Sequence, residues 1–172
     1  MFLRKPDGED RLRHVCHDCG LVHYQNPKII TGCIPQWENS VLLCKRAIEP
    51  RYGTWTLPAG FMELGETLEA AACRESSEEA GTNLIVDGLF AIFNVPHISQ
   101  VHVYFRATLL DQCFSAGIES LDTRLFGEHE IPWDEISFET VSRCLRLYFE
   151  DCRQGDFGIH VHDIVPQGYQ RG

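Results

Sequence analysis

Hydrophobic and polar positions change their period several times along this chain, and each change marks an element. Residues 1–13 are charged and carry Pro6 and Gly8, which reads as a mobile lead-in. From Asn26 the run PKIITGCIPQW is rich in β-branched residues and follows an Asn26-Pro27 turn signal. Glu38-Asn39-Ser40 interrupts it and VLLCKRA resumes it, so the two segments read as a hairpin. Tyr52-Gly53 turns the chain into Trp55-Thr56-Leu57-Pro58-Ala59, another strand-like run. The period then becomes helical: Leu68, Ala71, Ala72, Glu75 and Glu79 share one stripe. Thr67 is placed to cap that helix and Gly81 to stop it.

Beyond Gly81, NLIVDGLFAIFNV alternates and then runs apolar, giving one strand, or two around a turn at Asp87-Gly88. After a break at Pro96-His97-Ile98, SQVHVYFRATLLD alternates again. Val101, Val103 and Phe105 fall on one face, and His102, Tyr104 and Arg106 on the other. A single histidine in such a strand reads as structural. A short strand at about TRLFG and a Pro-containing turn precede a last helix, with Ser137 as its cap and Gly155 as its stop near Gln154. Its Val141, Leu145, Tyr148 and Phe149 make a core stripe. The tail IHVHDIV is β-like; His160 and His162 resemble a metal pair, but without a third ligand nearby they read as structural.

This succession describes one α/β domain over residues 26–172, preceded by a small N-terminal segment over residues 1–25. With 172 residues, the chain can build one proper core. Its 44% hydrophobic and 23% charged content is that of an ordinary soluble globule. The formal net charge of −10 argues against general nucleic-acid binding, which needs a basic footprint. The same charge would repel a phosphate-bearing ligand unless a metal or local arginines intervene. No apolar run reaches membrane-spanning length and no signal peptide is recognisable, so a cytoplasmic protein is expected. The eight scattered cysteines suit reduced thiols there. Two of them, Cys16 and Cys19, form C-x-x-C followed by Gly20, which looks like one knuckle of a zinc ribbon. No second C-x-x-C is present, and His14, His17 and His23 lie nearby. A Zn2+ site and a knuckle without metal both stay open.

Candidate chemistry concentrates at the first helix. Glu75, Glu78 and Glu79 lie three and four residues apart, so three carboxylates share a face and repel one another. A glutamate-rich surface helix is the bland explanation. Against it, the acidic face continues the buried stripe, and the preceding loop delivers Glu66 to the helix start. A divalent cation relieves the repulsion, and hard oxygen ligands suit Mg2+ or Mn2+. Lys45, Arg46 and Arg51 offer either surface charge or a cationic rim for phosphate.

Gly60, Glu66, Arg74, Glu75, Glu78, Glu79 and Gly81 fall at the fixed positions of the Nudix box, and the chain resembles the Nudix hydrolases. Ser76 and Thr82 depart from the box, standing where an apolar residue is typical. The resemblance implies the Nudix α/β/α sandwich with a mixed sheet. It implies hydrolysis of a nucleoside diphosphate linked to another group, with Glu75, Glu78, Glu79 and the Gly60 carbonyl as metal ligands. Arg74 would orient a carboxylate and Glu66 would brace the loop. Glu119, in GIESLDTRLF, is the candidate general base, against an ordinary loop acid. Arg46, Arg51, Trp55 and His97 are the candidates for substrate contact; Trp55, Tyr104 and Phe105 could stack an adenine or flavin ring, but core or sheet surface is the favoured reading of each. CHDCGLVHYQNPK, LLCKRAIEPRYGTWTLPAGF and ESLDTRLFGEHEIPWDEISF resemble the FAD and ADP-ribose pyrophosphatase subgroup, which implies AMP as a product and a homodimer. Two other readings stand beside it: a pyrophosphatase acting on NADH or NAD-capped RNA, and a nucleotide-sensing module without catalysis.

Overall fold

The computed structural model describes residues 1–166 and 168–169. Among these, the strands form two separate sheets and the chain two α-helices. The small sheet holds β1 (Phe2–Arg4), β2 (Arg13–Val15) and β3 (Val22–His23) in that order. The expected mobile lead-in is therefore a strand and a turn: Phe2 pairs with Val15 and Arg4 with Arg13. A polar clasp closes it, with Arg13 Nε donating to Glu9 at 2.7 Å and the Tyr24 hydroxyl donating to the same carboxylate at 2.8 Å. Charge alone read as disorder because these partners are scattered in sequence.

The large sheet contains β4 (Lys28–Trp37), β5 (Ser40–Arg46), β6 (Trp55–Thr56), β7 (Ala59–Phe61), β8 (Leu84–Val95), β9 (Gln100–Leu109), β10 (Ser120–Gly127) and β11 (His160–Asp163). Its main order is β10-β5-β4-β9-β8-β11. The expected hairpin is present, with Trp37 opposite Ser40. β4 runs parallel to β9 and β11 parallel to β8, so the sheet is mixed. Trp55–Phe61 is two short strands rather than one: β6 pairs with β5 and β7 with β4. Pro58, which lacks an N–H for a ladder, stands where the chain changes neighbours. β8 is a single long strand; Asp87-Gly88 makes no turn, and its register shifts between Val86 and Gly88 instead.

Helix α1 (Leu68–Ala80) covers one face and α2 (Glu139–Gln154) the other. The alternation of β9 splits between them. Val103 and Phe105 join Cys33 and Ala72 under α1, while Tyr104 joins Phe90, Phe93, Val141 and Leu145 under α2. Both ends of α1 are as expected: Thr67 Oγ1 accepts from the Ala70 N–H, and Gly81 takes the left-handed conformation at φ 60°. Ser76 is fully buried on the core side, and its hydroxyl donates to the Ala72 carbonyl at 2.8 Å, so its polarity is met inside the helix. The expected cap at Ser137 is absent. Its backbone N–H donates to the Trp55 carbonyl at 2.9 Å, which commits the residue to the β6 side, and the helix begins one turn signal later at Glu139. His160 also has a structural partner, with Nε2 lying 2.8 Å from Asp151 Oδ2.

Candidate active site

Arg74 is the hub of the acidic helix. Its Nε donates to Glu66 Oε1 at 2.7 Å and Nη2 to Glu66 Oε2 at 3.0 Å. Nη1 donates to Glu75 at 2.7 Å and to Glu78 at 3.0 Å, and Nη2 reaches the Phe61 carbonyl at 3.1 Å. One guanidinium thus relieves the repulsion of three carboxylates and ties the preceding loop to the helix, because a planar fork can serve several oxygens at once. Glu66 also accepts from the Glu63 N–H, and Arg74 with this bond holds its carboxyl down at about 2. Among the described residues, no three acidic, histidine or cysteine side chains converge on a common metal position.

Glu79 is outside that arginine's reach. It is only 7% exposed and accepts a single hydrogen bond, from the Ala59 N–H at 3.1 Å. Burial pushes its carboxyl up to about 8, with Glu75 and Glu119 adding to the rise. Glu75 is raised as well, by burial first, against the pull of Arg74. Its carboxylate lies directly over Gly60: a Cβ there would sit 2.3 Å from Oε2. This is a cradle that only glycine leaves open. A buried and a half-buried carboxylate, both with raised pKa and both set against the β7 backbone, are a donor set that fits a hard divalent cation.

These groups line one side of a cavity of about 880 Å³. Gly60, Arg74, Glu75, Glu78, Glu79 and Glu119 all face it. Arg46 does too, with its Nε donating to the Pro50 carbonyl at 2.9 Å and its guanidinium 5.2 Å from the Phe138 ring centre. Its charge opposes the rise of the Glu79 pKa. The remaining wall is largely apolar, including Ile30, Ile98, Phe61 and a fully exposed Ile118. The sequence reading missed this wall, and with it Gln100 and His102 from β9, which line the cavity beside Tyr104.

Three of the expected contact residues are placed elsewhere. Trp55 is buried in the α2 core, edge-on to Phe126 at 4.9 Å and flanked by Lys45 and Arg124. Arg51 is exposed in the turn before β6, and its carbonyl accepts from Thr54. His97 sits in a short helical turn outside the cavity, while its neighbour Ile98 reaches in.

Glu119 is positioned through the end of α1. The Ser115 N–H donates to the Ala80 carbonyl at 2.9 Å and the Gly117 N–H to the Glu79 carbonyl at 3.0 Å. Two terminal carbonyls that a helix leaves unpaired are thereby satisfied. The Ala47 N–H then holds the Glu119 carbonyl at 2.8 Å. At the N-terminal hairpin, the Cys16 carbonyl accepts from Gly20 and its N–H donates to Leu21. Hydrogen bonds from the Cys19 and Asp18 backbone lower the Cys16 thiol pKa. This is a knuckle with two thiols, half of a closed tetrahedral zinc site. His14 and His23 face each other across β2 and β3, and His17 is turned to Asp18.

The geometry agrees with what the chain is similar to. A family model described as NUDIX domain matches residues 27–141, and one described as Nudix N-terminal matches residues 1–25. The chain is 30% identical over 115 residues to an ADP-ribose pyrophosphatase of Methanocaldococcus jannaschii, covering 63% of this chain and 67% of that protein. It is 43% identical over 87 residues to an NAD-capped RNA hydrolase of Vibrio cholerae, covering 46% of this chain but only 31% of the relative. It is 53% identical to a solved NUDIX hydrolase from Nitrosomonas europaea, with a TM-score of 0.92 over 95% of this chain and 93% of the other.

Proposed function

The chain belongs to the Nudix hydrolase family, and on that premise we propose that it hydrolyses the pyrophosphate bond of FAD or ADP-ribose and releases AMP. The observation that carries this reading is the pair Glu75 and Glu79, set over Gly60 and Ala59 at the edge of a cavity of about 880 Å³. That volume is at the upper end of small-molecule sites, typically ~300–1,000 Å³, and suits a dinucleotide-sized ligand. The similarity to a protein named ADP-ribose pyrophosphatase supports the same substrate class.

Glu75 and Glu79, with Glu78 and the Gly60 carbonyl beside them, would hold Mg2+ or Mn2+, which neutralises phosphate charge and acidifies water. Arg74 fixes the Glu75 and Glu78 rotamers, as a partner behind a metal ligand does. Arg46 is oriented by the Pro50 carbonyl and presents its remaining N–H groups to the diphosphate. Glu119 accepts the proton of the attacking water. Glu119→Gln is expected to lower kcat by ~10² with little change in KM; a loss of less than about threefold would return Glu119 to the status of a loop acid.

The Vibrio relative favours a second reading, cleavage of NADH or of an NAD-capped RNA end. The net charge of −10 argues against an RNA partner. At the N-terminus, Cys16 and Cys19 would contribute two thiolates to a zinc ion. Among the described residues all eight cysteines are free, and no helix is long and apolar enough to cross a membrane; a cytoplasmic setting suits those thiols. A homodimer remains part of the proposal by analogy with the subgroup. The deciding experiment is chromatographic product analysis with magnesium and, separately, FAD, ADP-ribose, NADH and a nucleoside triphosphate. AMP formed faster from FAD or ADP-ribose than from the others is the expected result, and preference for NADH would replace it with the second reading.

A further inference from the structure

Opposite the carboxylates, the cavity wall contains a polar chain that the hydrolytic chemistry does not use. His102 is 7% exposed, yet both ring nitrogens have partners: Nε2 lies 3.0 Å from Gln100 Oε1 and Nδ1 lies 3.1 Å from Thr140 Oγ1. An amide oxygen only accepts, so Nε2 carries the proton, Nδ1 accepts, and the Thr140 hydroxyl donates. Burial holds the imidazole neutral, with its pKa lowered to about 4. Thr140 lies in the first turn of α2, so the helix on the far face of the sheet locks the chain from below. Gln100, His102 and Tyr104 all face the cavity, but Gln100 stands at the accessible end of the relay.

The consequence is directional. With Oε1 engaged by His102, the Gln100 amide is fixed in one orientation, and among the described residues its NH2 hydrogen-bonds no other group. An immobilised donor beside Ile30, Ile98 and Phe61 is what an apolar slot needs to recognise the edge of a flat ring. Resting on the pyrophosphatase reading above, we propose that Gln100, oriented by His102 and Thr140, is the specificity-determining residue for the heterocycle of the substrate. It selects a ring edge bearing carbonyl or ring-nitrogen acceptors, whether that ring is a nucleobase or a flavin.

The test compares wild type with Gln100→Leu and Gln100→Glu. The glutamate keeps its shape and still accepts from His102, but it has no donor for the ligand. One arm measures kcat/KM for ADP-, GDP- and UDP-glucose, which share their linkage and differ in the base. The other arm compares FAD with ADP-ribose, which differ by the flavin half. In one arm, both variants are expected to change the ratio between substrates at least tenfold, mainly through KM. The arm that changes identifies the ring. Nitrogen-15 spectra are expected to show His102 protonated on Nε2 in wild type and in Gln100→Glu. Unchanged ratios in both arms, or a uniform loss across all substrates, overturn the proposal. If wild type cleaves none of them, the hydrolase reading fails separately. Calorimetric affinities for the same ligands then decide, and their equality between wild type and Gln100→Glu overturns the role of Gln100.

Discussion

Glu79→Gln is expected to abolish hydrolysis, lowering kcat by ~10³ or more, while the fold persists. Gln has the same volume and still accepts from the Ala59 N–H, so neither the packing nor that hydrogen bond is lost. What disappears is a charge that the fold itself resists, since burial raises this carboxyl from 4.5 to about 8. The pH signature follows. Below 4.5 the group is protonated in folded and unfolded chains alike. As pH rises towards 8 the unfolded chain ionises and the metal-free folded chain does not, so stability falls across that window, by about 1.4 kcal/mol per unit at most. Denaturant unfolding in chelator at pH 5 and pH 8.5 should therefore show wild type losing stability relative to Glu79→Gln. Magnesium should restore wild type at the higher pH and leave the variant unaffected. Full turnover in the variant, or parallel pH curves, would remove Glu79 from the metal site.

Gly117→Ala is the second large effect, and it acts from a residue with no chemistry. A Cβ at Gly117 would stand 1.8 Å from the Glu78 carbonyl oxygen and 3.2 Å from the Glu79 Cα. Both contacts are backbone, so no side chain can swing away. The loop must lift from α1, breaking the Gly117–Glu79 hydrogen bond and displacing Glu119 two residues later. A shift of about 1 Å in a catalytic group can cost ~10² in rate, and kcat is expected to fall by that much. The melting temperature should drop as well, since the Glu79 carbonyl at the helix end loses its donor. Gly53→Ala is a stability control, because a Cβ there meets nothing within 4 Å and only its φ of 78° resists. Wild-type kcat in Gly117→Ala would mean that Glu119 acts without the anchor.

The first helix was legible in detail because its signals are local. Thr67, Gly81 and the spacing of Glu75, Glu78 and Glu79 all act within about four residues. The polar wall was not legible, because alternation places His102 on a face without saying whether that face meets a core or a cavity. Its partner Thr140 lies 38 residues away on another element. Trp55 illustrates the same limit: an aromatic just before a glutamate-rich motif looks like a stacking platform until Phe126 is seen to close over it. Ser137 was misjudged because a partner distant in sequence holds it, its N–H donating to the Trp55 carbonyl. The arginine hub could be foreseen only in part. Arg74 to Glu78 is a helical spacing, but the reach to Glu66 depends on how the loop folds back.

The separation of the two sheets has a consequence for how the molecule comes apart. Among the described residues no ladder joins β1–β3 to the strands that build the pocket, and the segment that carries the small sheet leaves Phe2, Leu3, Leu12, Leu21 and Tyr24 exposed. Regions with few shared contacts open on their own. We expect the amino-terminal hairpin to open separately from the large sheet, so that a heat trace and an activity trace of the same sample would report different parts of the molecule.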